Sequence, residues 1–137
     1  RSNPVGGNVG IGTTNPGYTL HVIGTIFATG DIGALSDRRY KHDIMPLHGC
    51  LDMLDRMSGY SYVRNDHKPG VRQIGLIAQE VNEVLPEAVN YDSANDTYSV
   101  NYGCLIAPLM EAVKELREKV DRQDVIIQKL LDRLGPQ

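Results

Sequence analysis

The chain has 137 residues, of which 41% are hydrophobic, and its formal net charge is −3. The hydrophobic fraction is too high for a disordered chain, and no apolar run is long enough to cross a membrane. The slight acidic excess argues against the basic surface of a nucleic-acid-binding domain. With one Phe and no Trp, few large apolar side chains are available for a core, so we expect association between chains to supply stability.

Cys50 and Cys104 lie far apart and belong to no Cys-x-x-Cys pair, which excludes a zinc ribbon and argues against a disulfide scaffold. We expect both to be reduced, partly buried thiols. The first residues carry no basic segment followed by an apolar run, so they do not resemble a secretory signal. Because Arg1 stands where an initiator Met would be, we expect the chain to be the excised end of a longer protein.

Residues 1–35 are rich in Gly, Thr, Asn and Pro and contain two short alternating stretches, 18–23 and 25–28. This pattern predicts short strands joined by turns. The few apolar side chains are separated by glycines, so the segment buries too little surface to fold by itself. It therefore needs partner chains, or forms the last stretch of a fibrous β-stalk.

A dense polar run over 36–44 ends the Gly-rich segment, and we place a domain boundary at Ser36. Pro46 then opens a short amphipathic helix, and Gly59 stands where the helix C-cap would fall. One face of this predicted helix carries Leu47, Leu51, Leu54 and Met57.

The middle of the chain carries both strand and helix patterns. Tyr60 and Tyr62 indicate a strand that runs into a loop over 65–70. Residues 75–86 have apolar side chains at helical spacing until Pro86 ends the pattern. Alternating residues on either side of 93–96 predict a β-hairpin. The apolar positions are Ile77, Val81, Val84 and Leu85 in the helix and Val89, Tyr91, Tyr98, Val100 and Tyr102 in the hairpin.

The last segment, about 105–134, has the clearest periodicity. Its residues follow an unbroken 3-4 spacing over about four heptads, which predicts a coiled coil. β-branched residues at most a positions with Leu at d suit a dimer by themselves, while the polar Gln123 layer is a register device compatible with other strand numbers. The a positions are Ile106, Val113, Val120, Ile127 and Leu134, and the d positions are Leu109, Leu116, Gln123 and Leu130.

Charged residues flank this predicted coiled coil. Lys119 at a g position can meet Asp124 at the next e position of a neighbouring parallel helix. The alternative is a long helix that packs on its own domain.

Ser36 and Lys41 form one candidate catalytic pair. A neutral lysine can accept a serine proton if burial or neighbouring cations, here Arg38 and Arg39, disfavour its charged form. A serine and a lysine at this spacing are common, so the pair alone more simply indicates a solvated loop in which Ser36 or Asp37 caps a turn.

Other candidate sites have less support, and we expect neither a metal nor a cofactor. The four histidines, His21, His42, His48 and His67, are scattered without ligand spacing. The glycines of 7–12 lack the flanking strand and helix of a nucleotide loop, so they indicate turns. Glu80 and Glu83, one helical turn apart, could be paired catalytic carboxylates but are more simply a solvated helix face.

Three blocks together resemble a known family. They are Ser-Asp-Arg-Arg-Tyr-Lys-His-Asp-Ile (36–44), Gly-Leu-Ile-Ala-Gln-Glu-Val (75–81) running to Leu-Pro-Glu-Ala-Val (85–89), and Tyr-Ser-Val-Asn-Tyr (98–102) leading into the heptad helix. In this order they resemble the intramolecular chaperone domain of phage tailspikes and tail fibres, the peptidase S74 family. The resemblance covers about 36–134, and the upstream segments 9–16 and 20–22 are similar to the distal end of a phage fibre shaft.

This resemblance implies an α+β fold: a small β-containing domain with short helices and a long C-terminal helix that forms a trimeric coiled coil, preceded by a short β-stalk. Residues 1–35 would be the distal shaft and 36–137 the chaperone. The domain would align three chains, help the shaft to fold and then cut itself off. Ser36 would be the nucleophile and Lys41 the general base of a Ser-Lys dyad.

The resemblance implies a cleaved bond within Leu35, Ser36 and Asp37. The family is described as cutting at the Ser-Asp junction, which maps to Ser36-Asp37. However, a serine hydroxyl that attacks its own carbonyl would close a strained four-membered ring, whereas attack on the Leu35 carbonyl closes a five-membered ring. Chemistry within one chain therefore favours the Leu35-Ser36 bond, and a cut at Ser36-Asp37 would indicate attack from another chain or by water.

The expected partners are two further copies of the chain and the upstream shaft of the same polypeptide, with no nucleic acid and no membrane. Assembly would take place in the host cytoplasm, after which the shaft joins the virion tail and the chaperone is released. A non-cleaving trimerisation or receptor-binding tip is the main alternative. A membrane-tethered or cytosolic regulator that acquired the same module is a third.

Overall fold

The computed structural model describes residues 7–66, 69–93 and 95–135. By their contacts the residues separate into two compact units, Arg1–Ile44 and Met45–Gln137. The first unit contains strands β1 (Val9–Ile11) and β2 (Leu20–Val22) and a 3₁₀ turn over Arg38–Tyr40. The functional boundary expected at Ser36 stays a prediction.

The described residues of the second unit form three α-helices and two antiparallel strand pairs. Short 3₁₀ turns over Pro86–Ala88 and Tyr102–Leu105 join these elements. In chain order the elements are α1 (Cys50–Asp55), β3 (Tyr60–Val63), β4 (Arg72–Gly75), α2 (Ala78–Val84), β5 (Val89–Asp92), β6 (Thr97–Val100) and α3 (Ile106–Leu134). The fold is α+β, as the sequence predicts.

Strands β1 and β2 of the first unit pair in parallel, with Val9 opposite Leu20. The turn after β1 requires Gly12, whose φ is +77° and where a Cβ would lie 2.9 Å from the carbonyl oxygen of Ile23. The expectation of a strand within 18–23 is confirmed by β2, whereas β1 lies in the segment 7–12, where the glycines are expected to form turns. The expectation of a strand is wrong for 25–28, which forms no strand. Phe27 is 87% exposed, so the described part of the chain covers little of its side chain.

Helix α1 begins later than the sequence predicts. Gly49 adopts φ 68° and breaks the helical pattern, so Pro46 and Leu47 lie outside the helix. The helix ends at Asp55, so Gly59 is not its C-cap. Gly49 supplies no side-chain cap, and this helix receives its cap from a distant part of the chain instead.

That cap is the Glu115 carboxylate of α3. Its Oε2 accepts a hydrogen bond from the Leu51 backbone N–H at 2.8 Å, and its Oε1 accepts one from the Cys50 N–H at 3.0 Å. These backbone donors lower the pKa of Glu115, because they stabilise its charged form. A carboxylate is also favoured at the positive end of a helix.

The strand predicted at Tyr60 and Tyr62 is confirmed as β3. Of the loop predicted over 65–70, His67 and Lys68 lie outside the described residues. The antiparallel partner of β3, β4, is not predicted by the sequence analysis. Gly75 ends β4 beside two tyrosine hydroxyl groups, since a Cβ there would lie 2.5 Å from Tyr102 Oη and 2.9 Å from Tyr62 Oη. Tyr102 Oη accepts a hydrogen bond from the backbone N–H of Leu76 at 3.0 Å, which anchors the end of β4.

The helix predicted before Pro86 and the hairpin after it are both confirmed. Strands β5 and β6 are antiparallel, with Val89 opposite Val100 and Tyr91 opposite Tyr98. The rings of that tyrosine pair lie 4.7 Å apart. Of the predicted turn 93–96, residue 94 lies outside the described residues, and Tyr102 belongs to the following 3₁₀ turn rather than to the strand.

The core of the second unit is small. Among the described residues, the buried apolar side chains are those of Cys50, Val81, Ala88, Pro108 and Ala112. Both cysteines are free, and Cys104 is exposed. Burial raises the pKa of the Cys50 thiol.

The long helix predicted at the end of the chain is confirmed as α3, whose early turns contact α1. Pro108 and Ala112 are buried on the same face as Glu115. The a and d positions form an apolar stripe centred about 110° away around the helix. The apolar side chains of this stripe are between 45% and 78% exposed. The prediction of a coiled coil therefore stays a prediction.

Candidate functional site: a serine-lysine pair beside a capped turn

The 3₁₀ turn over Arg38–Tyr40 folds because Asp37 caps it. The Asp37 backbone is extended, with φ −66° and ψ 134°, and its Oδ1 accepts a hydrogen bond from the Arg39 backbone N–H at 2.8 Å. The Lys41 N–H then donates to the Arg38 carbonyl oxygen at 3.0 Å, which closes the turn. Aspartate is well suited to this role because its short side chain reaches N–H groups two residues along the chain.

The turn brings Lys41 back to Ser36. Lys41 returns to extended backbone geometry, and its Nζ lies 2.7 Å from Ser36 Oγ. This is the distance of a strong hydrogen bond between an amine and a hydroxyl group. The structure thus brings together the two residues that the sequence singled out as a nucleophile and its base.

Asp37 and Arg39 form an ion pair next to this contact. Arg39 Nη2 lies 2.7 Å from Asp37 Oδ2, and Arg39 Nε donates to Oδ1 at 3.1 Å. This side-chain pairing lowers the pKa of Asp37, and the bond from the Arg39 backbone N–H lowers it further. The cation of Arg39 is therefore compensated by Asp37.

The geometry allows proton transfer between Ser36 and Lys41. As an ammonium group, Lys41 donates its hydrogen to Ser36 Oγ, whereas a base must have lost that proton. Both residues are exposed in the single chain. Desolvation, for example by neighbouring chains, favours the neutral form of an amine.

The bond next to the pair is accessible. Leu35 lies in irregular backbone, and its side chain is 79% exposed. An extended, exposed segment of this kind can rearrange for a neighbouring nucleophile at little structural cost.

The remaining candidates do not join this site. Glu80 accepts a hydrogen bond from the Tyr60 hydroxyl at 2.9 Å, and Glu83 is exposed on α2. His21 accepts a bond from the Gly17 backbone N–H at 3.2 Å. Over the described ranges, no group of acidic, histidine and cysteine side chains could hold a metal ion. No helix in the described chain has the length and apolar content needed to cross a bilayer.

Two residues of structural weight are not identified by the sequence analysis. Arg39 appears there only as a neighbouring cation, although its spacing of two residues from Asp37 is typical of a side chain that pairs across a tight turn. Glu115 falls on a helix rich in charged residues, and nothing local distinguishes it. Its partners, Cys50 and Leu51, lie more than sixty residues away.

The segment that carries this site matches a known protein family. Residues 36–90 match the peptidase S74 family model, described as chaperone of endosialidase. This match begins at Ser36 and includes Lys41 and the cap between them.

Relatives extend over more of the chain. Myelin gene regulatory factor-like A of Dictyostelium discoideum is 31% identical over 134 residues, which cover 84% of this chain and 14% of that protein. Long tail fiber protein Gp37 of Enterobacteria phage K3 is 33% identical over 91 residues, or 62% of this chain and 7% of that protein. Gp37 of Enterobacteria phage M1 is 28% identical over 121 residues, or 80% of this chain and 48% of that protein.

The chain thus spans less than half the length of each of these relatives. The resemblance inferred from the three sequence blocks is confirmed, since residues 36–90 match the peptidase S74 family, whose model is described as chaperone of endosialidase.

Proposed function

We propose that this domain is a C-terminal intramolecular chaperone of a phage tail fibre or tailspike, which trimerises, templates folding of the upstream shaft and then releases itself by autoproteolysis near Ser36. The observation that carries the proteolytic part is the 2.7 Å contact between Lys41 Nζ and Ser36 Oγ. The family match and the tail fibre relatives support the assembly role.

The exposed apolar stripe of α3 supports association with further copies of the chain. A contiguous exposed apolar stripe along a helix is unusual on a monomer and marks an interaction site. Its 3-4 spacing fits a second copy of the same helix, because knobs-into-holes packing requires matching heptads.

The C-terminal half of α3 favours more than two helices. Ile126 occupies a g position and Leu131 an e position, and both are exposed in the single chain. With Ile127 and Leu130 they widen the stripe beyond the a and d positions. Three packed helices cover more of the e and g positions than two do, so this widening supports a trimer over the dimer suggested by a and d alone.

A trimeric helix would solve a kinetic problem for the shaft. Over residues 7–44 the first unit has two three-residue strands, and most apolar side chains there are exposed, so these strands need partner chains. Contacts between chains form slowly unless their local concentration is raised. A coiled coil assembles from local structure and then holds three shaft segments in register.

The proposed cleavage is an acyl transfer followed by hydrolysis. Lys41 takes the hydroxyl proton as Ser36 Oγ attacks the Leu35 carbonyl carbon, and the Leu35-Ser36 C–N bond breaks while its nitrogen gains the proton. This leaves an ester between Leu35 and Ser36. Water hydrolyses the ester, which regenerates the Ser36 hydroxyl and gives a new Leu35 carboxylate and a free Ser36 amino group.

Denaturing electrophoresis and intact mass of the 137-residue chain test this proposal, with Ser36→Ala and Lys41→Ala as matched variants. We expect only the unaltered chain to yield two fragments, with the larger beginning at Ser36. A larger fragment beginning at Asp37 would keep the protease but move the bond, and would indicate attack from another chain or by water.

A permanent trimerisation or receptor-binding tip is the competing function. It predicts that the unaltered chain, Ser36→Ala and Lys41→Ala all remain uncleaved, while sedimentation shows that each still forms a trimer. That combination would end the autoproteolytic proposal and leave the coiled coil as the functional part.

Release after assembly would leave the shaft kinetically trapped. An intertwined shaft unfolds slowly, and without its template it would not refold. If cleavage depends on trimer formation, its rate should fall when the protein is diluted below the concentration at which the trimer dissociates. First-order cleavage in monomers would contradict this dependence.

A further inference from the structure

Asp37, the residue after Ser36, caps the turn that brings Lys41 back to Ser36. Asp37 accepts the hydrogen bond from Arg39 N–H that starts the 3₁₀ turn, and this turn returns the chain so that Lys41 reaches Ser36. The turn has few other supports, since its three residues are not buried.

We propose that Asp37 and Arg39 act as positioning residues for the Ser36-Lys41 pair: Asp37 builds the turn, and Arg39 keeps the Asp37 carboxylate from pairing with Lys41. This inference rests on the proposed function. Neither residue takes part in a chemical step, because neither contacts Ser36 Oγ or Lys41 Nζ.

The role of Asp37 follows from the hydrogen bonds of the turn. Without the cap, the Arg39 N–H loses its intramolecular acceptor. Residues 37–41 then gain freedom that is opposed by the backbone bonds from Tyr40 N–H to Asp37 O and from Lys41 N–H to Arg38 O. A nucleophile and base that drift apart by about 1 Å lose on the order of a hundredfold in rate.

The role of Arg39 follows from charge. A carboxylate four residues before a lysine can pair with it, and such a pair would hold the lysine as an ammonium group. Here Arg39 occupies both carboxylate oxygens of Asp37, with Nη2 at 2.7 Å from Oδ2 and Nε at 3.1 Å from Oδ1. The Asp37 carboxylate thus caps the turn, and its negative charge is neutralised by Arg39 rather than by Lys41.

Cleavage rates of the full 137-residue chain test these roles. We expect Asp37→Ala to slow cleavage by about a hundredfold and Asp37→Asn by less than about tenfold, because Asn can still accept from the Arg39 N–H. Arg39→Gln should slow cleavage by about tenfold, since it frees the carboxylate without removing the cap. Arg38→Lys is the control at the neighbouring arginine, because it keeps the positive charge and the backbone carbonyl of Arg38, and its rate should equal that of the unaltered chain.

The order of the variants separates positioning from other roles. Equal loss in Asp37→Ala and Asp37→Asn would show that the charge of Asp37, not its cap, matters and would overturn the turn-building role. An unchanged rate in Arg39→Gln would overturn the role of Arg39. Sedimentation of each variant should match the unaltered chain, because the turn lies outside the coiled coil.

A second measurement keeps the inference independent of cleavage. In the Ser36→Ala chain, which cannot react, nuclear Overhauser effects between the Lys41 ε protons and the β protons of position 36 report the approach of the two side chains. These effects should vanish on adding Asp37→Ala and persist with Asp37→Asn. If the unaltered chain is never cleaved, the proposed function fails, while these spectra still decide whether Asp37 positions the pair.

Discussion

In the first turns of α3, residues 106–116, one face packs against the same chain, with Pro108 and Ala112 buried and Glu115 bonded to α1. In the remaining turns, 117–134, every side chain is exposed. The heptad spacing runs through both parts without a break, so the sequence pattern alone does not distinguish them. The first part is stabilised within one chain, whereas the second requires partner chains for any tertiary stabilisation.

A disruptive substitution in the exposed part of α3 should have the largest effect. It should weaken the association of chains without changing the fold of each chain. Ile127→Asp would place three carboxylates in one layer of the proposed trimer and remove three apolar side chains worth roughly 2 kcal/mol each. We expect the association constant to fall by at least about a thousandfold, measured by sedimentation. Lys129→Asp, at an exposed c position, is the control for the lower helix propensity of Asp. Equal association of both variants would contradict a core role for Ile127.

A change in the packed part should instead act on the fold of each chain. Ala112→Leu adds bulk to a buried position, and overpacking of this kind costs about 1–3 kcal/mol. The buried Cys50 thiol should then react faster with a thiol reagent, after the immediate reaction of the exposed Cys104. Lys114→Leu introduces the same side chain at an exposed position and should leave Cys50 protected. A protected Cys50 in both variants would mean that this face of α3 does not hold α1.

The carboxylate that joins α3 to α1 should make the packed part sensitive to acid. The pKa of Glu115 is lowered from 4.5, so its contribution to stability is complete above that pH and is lost as the pH falls through the lower pKa of the folded state. The nearby His48 also lowers the pKa of Glu115, and Asp52 lies in the first turn of α1. We expect Glu115→Gln to lower the unfolding midpoint near neutral pH, with a difference that disappears in acid.

The control for that prediction is Glu118→Gln, which removes an exposed carboxylate one turn further along α3. Its unfolding curve should follow that of the unaltered chain at every pH. If the difference caused by Glu115→Gln were the same in acid as at neutral pH, the ionised cap would not be the cause.

The smallest expected effect concerns the charges that flank the stripe in the exposed part. Lys119→Glu would oppose Asp124 of a neighbouring parallel helix and cost about 0.2–1 kcal/mol per pair at low salt. Adding Asp124→Lys should restore association, and high salt should remove the difference. If the single and double variants associate equally weakly at low salt, the helices are not parallel in this register.

Much of the fold follows from patterns within short windows. The alternation around Tyr91 and Tyr98 predicts the hairpin, the spacing through Val81 predicts α2, and the heptads predict α3 to within a residue. Strand β4 has no such signal, because Arg72 and Gln73 alternate poorly with Ile74, which is itself 86% exposed. Its structure depends on pairing with β3.

The start of α1 shows a second limit of sequence patterns. Pro46 and Leu47 fit a helical face, but the helix begins only after Gly49, where Glu115 accepts from its first N–H groups. A cap that arrives from the far end of the chain cannot be found by local spacing. The contact between Ser36 and Lys41 lies at the opposite extreme, because a tight turn over a short spacing suffices to form it.

That short spacing has a consequence for timing. A turn that closes within six residues forms in well under a microsecond, about as soon as the segment leaves the ribosome and long before α3 has been synthesised. The approach of Ser36 to Lys41 therefore occurs too early to make cleavage wait until the shaft is complete. If the pair cuts the chain, the delay must come from a later change in its surroundings, such as the exclusion of water when three chains close around it.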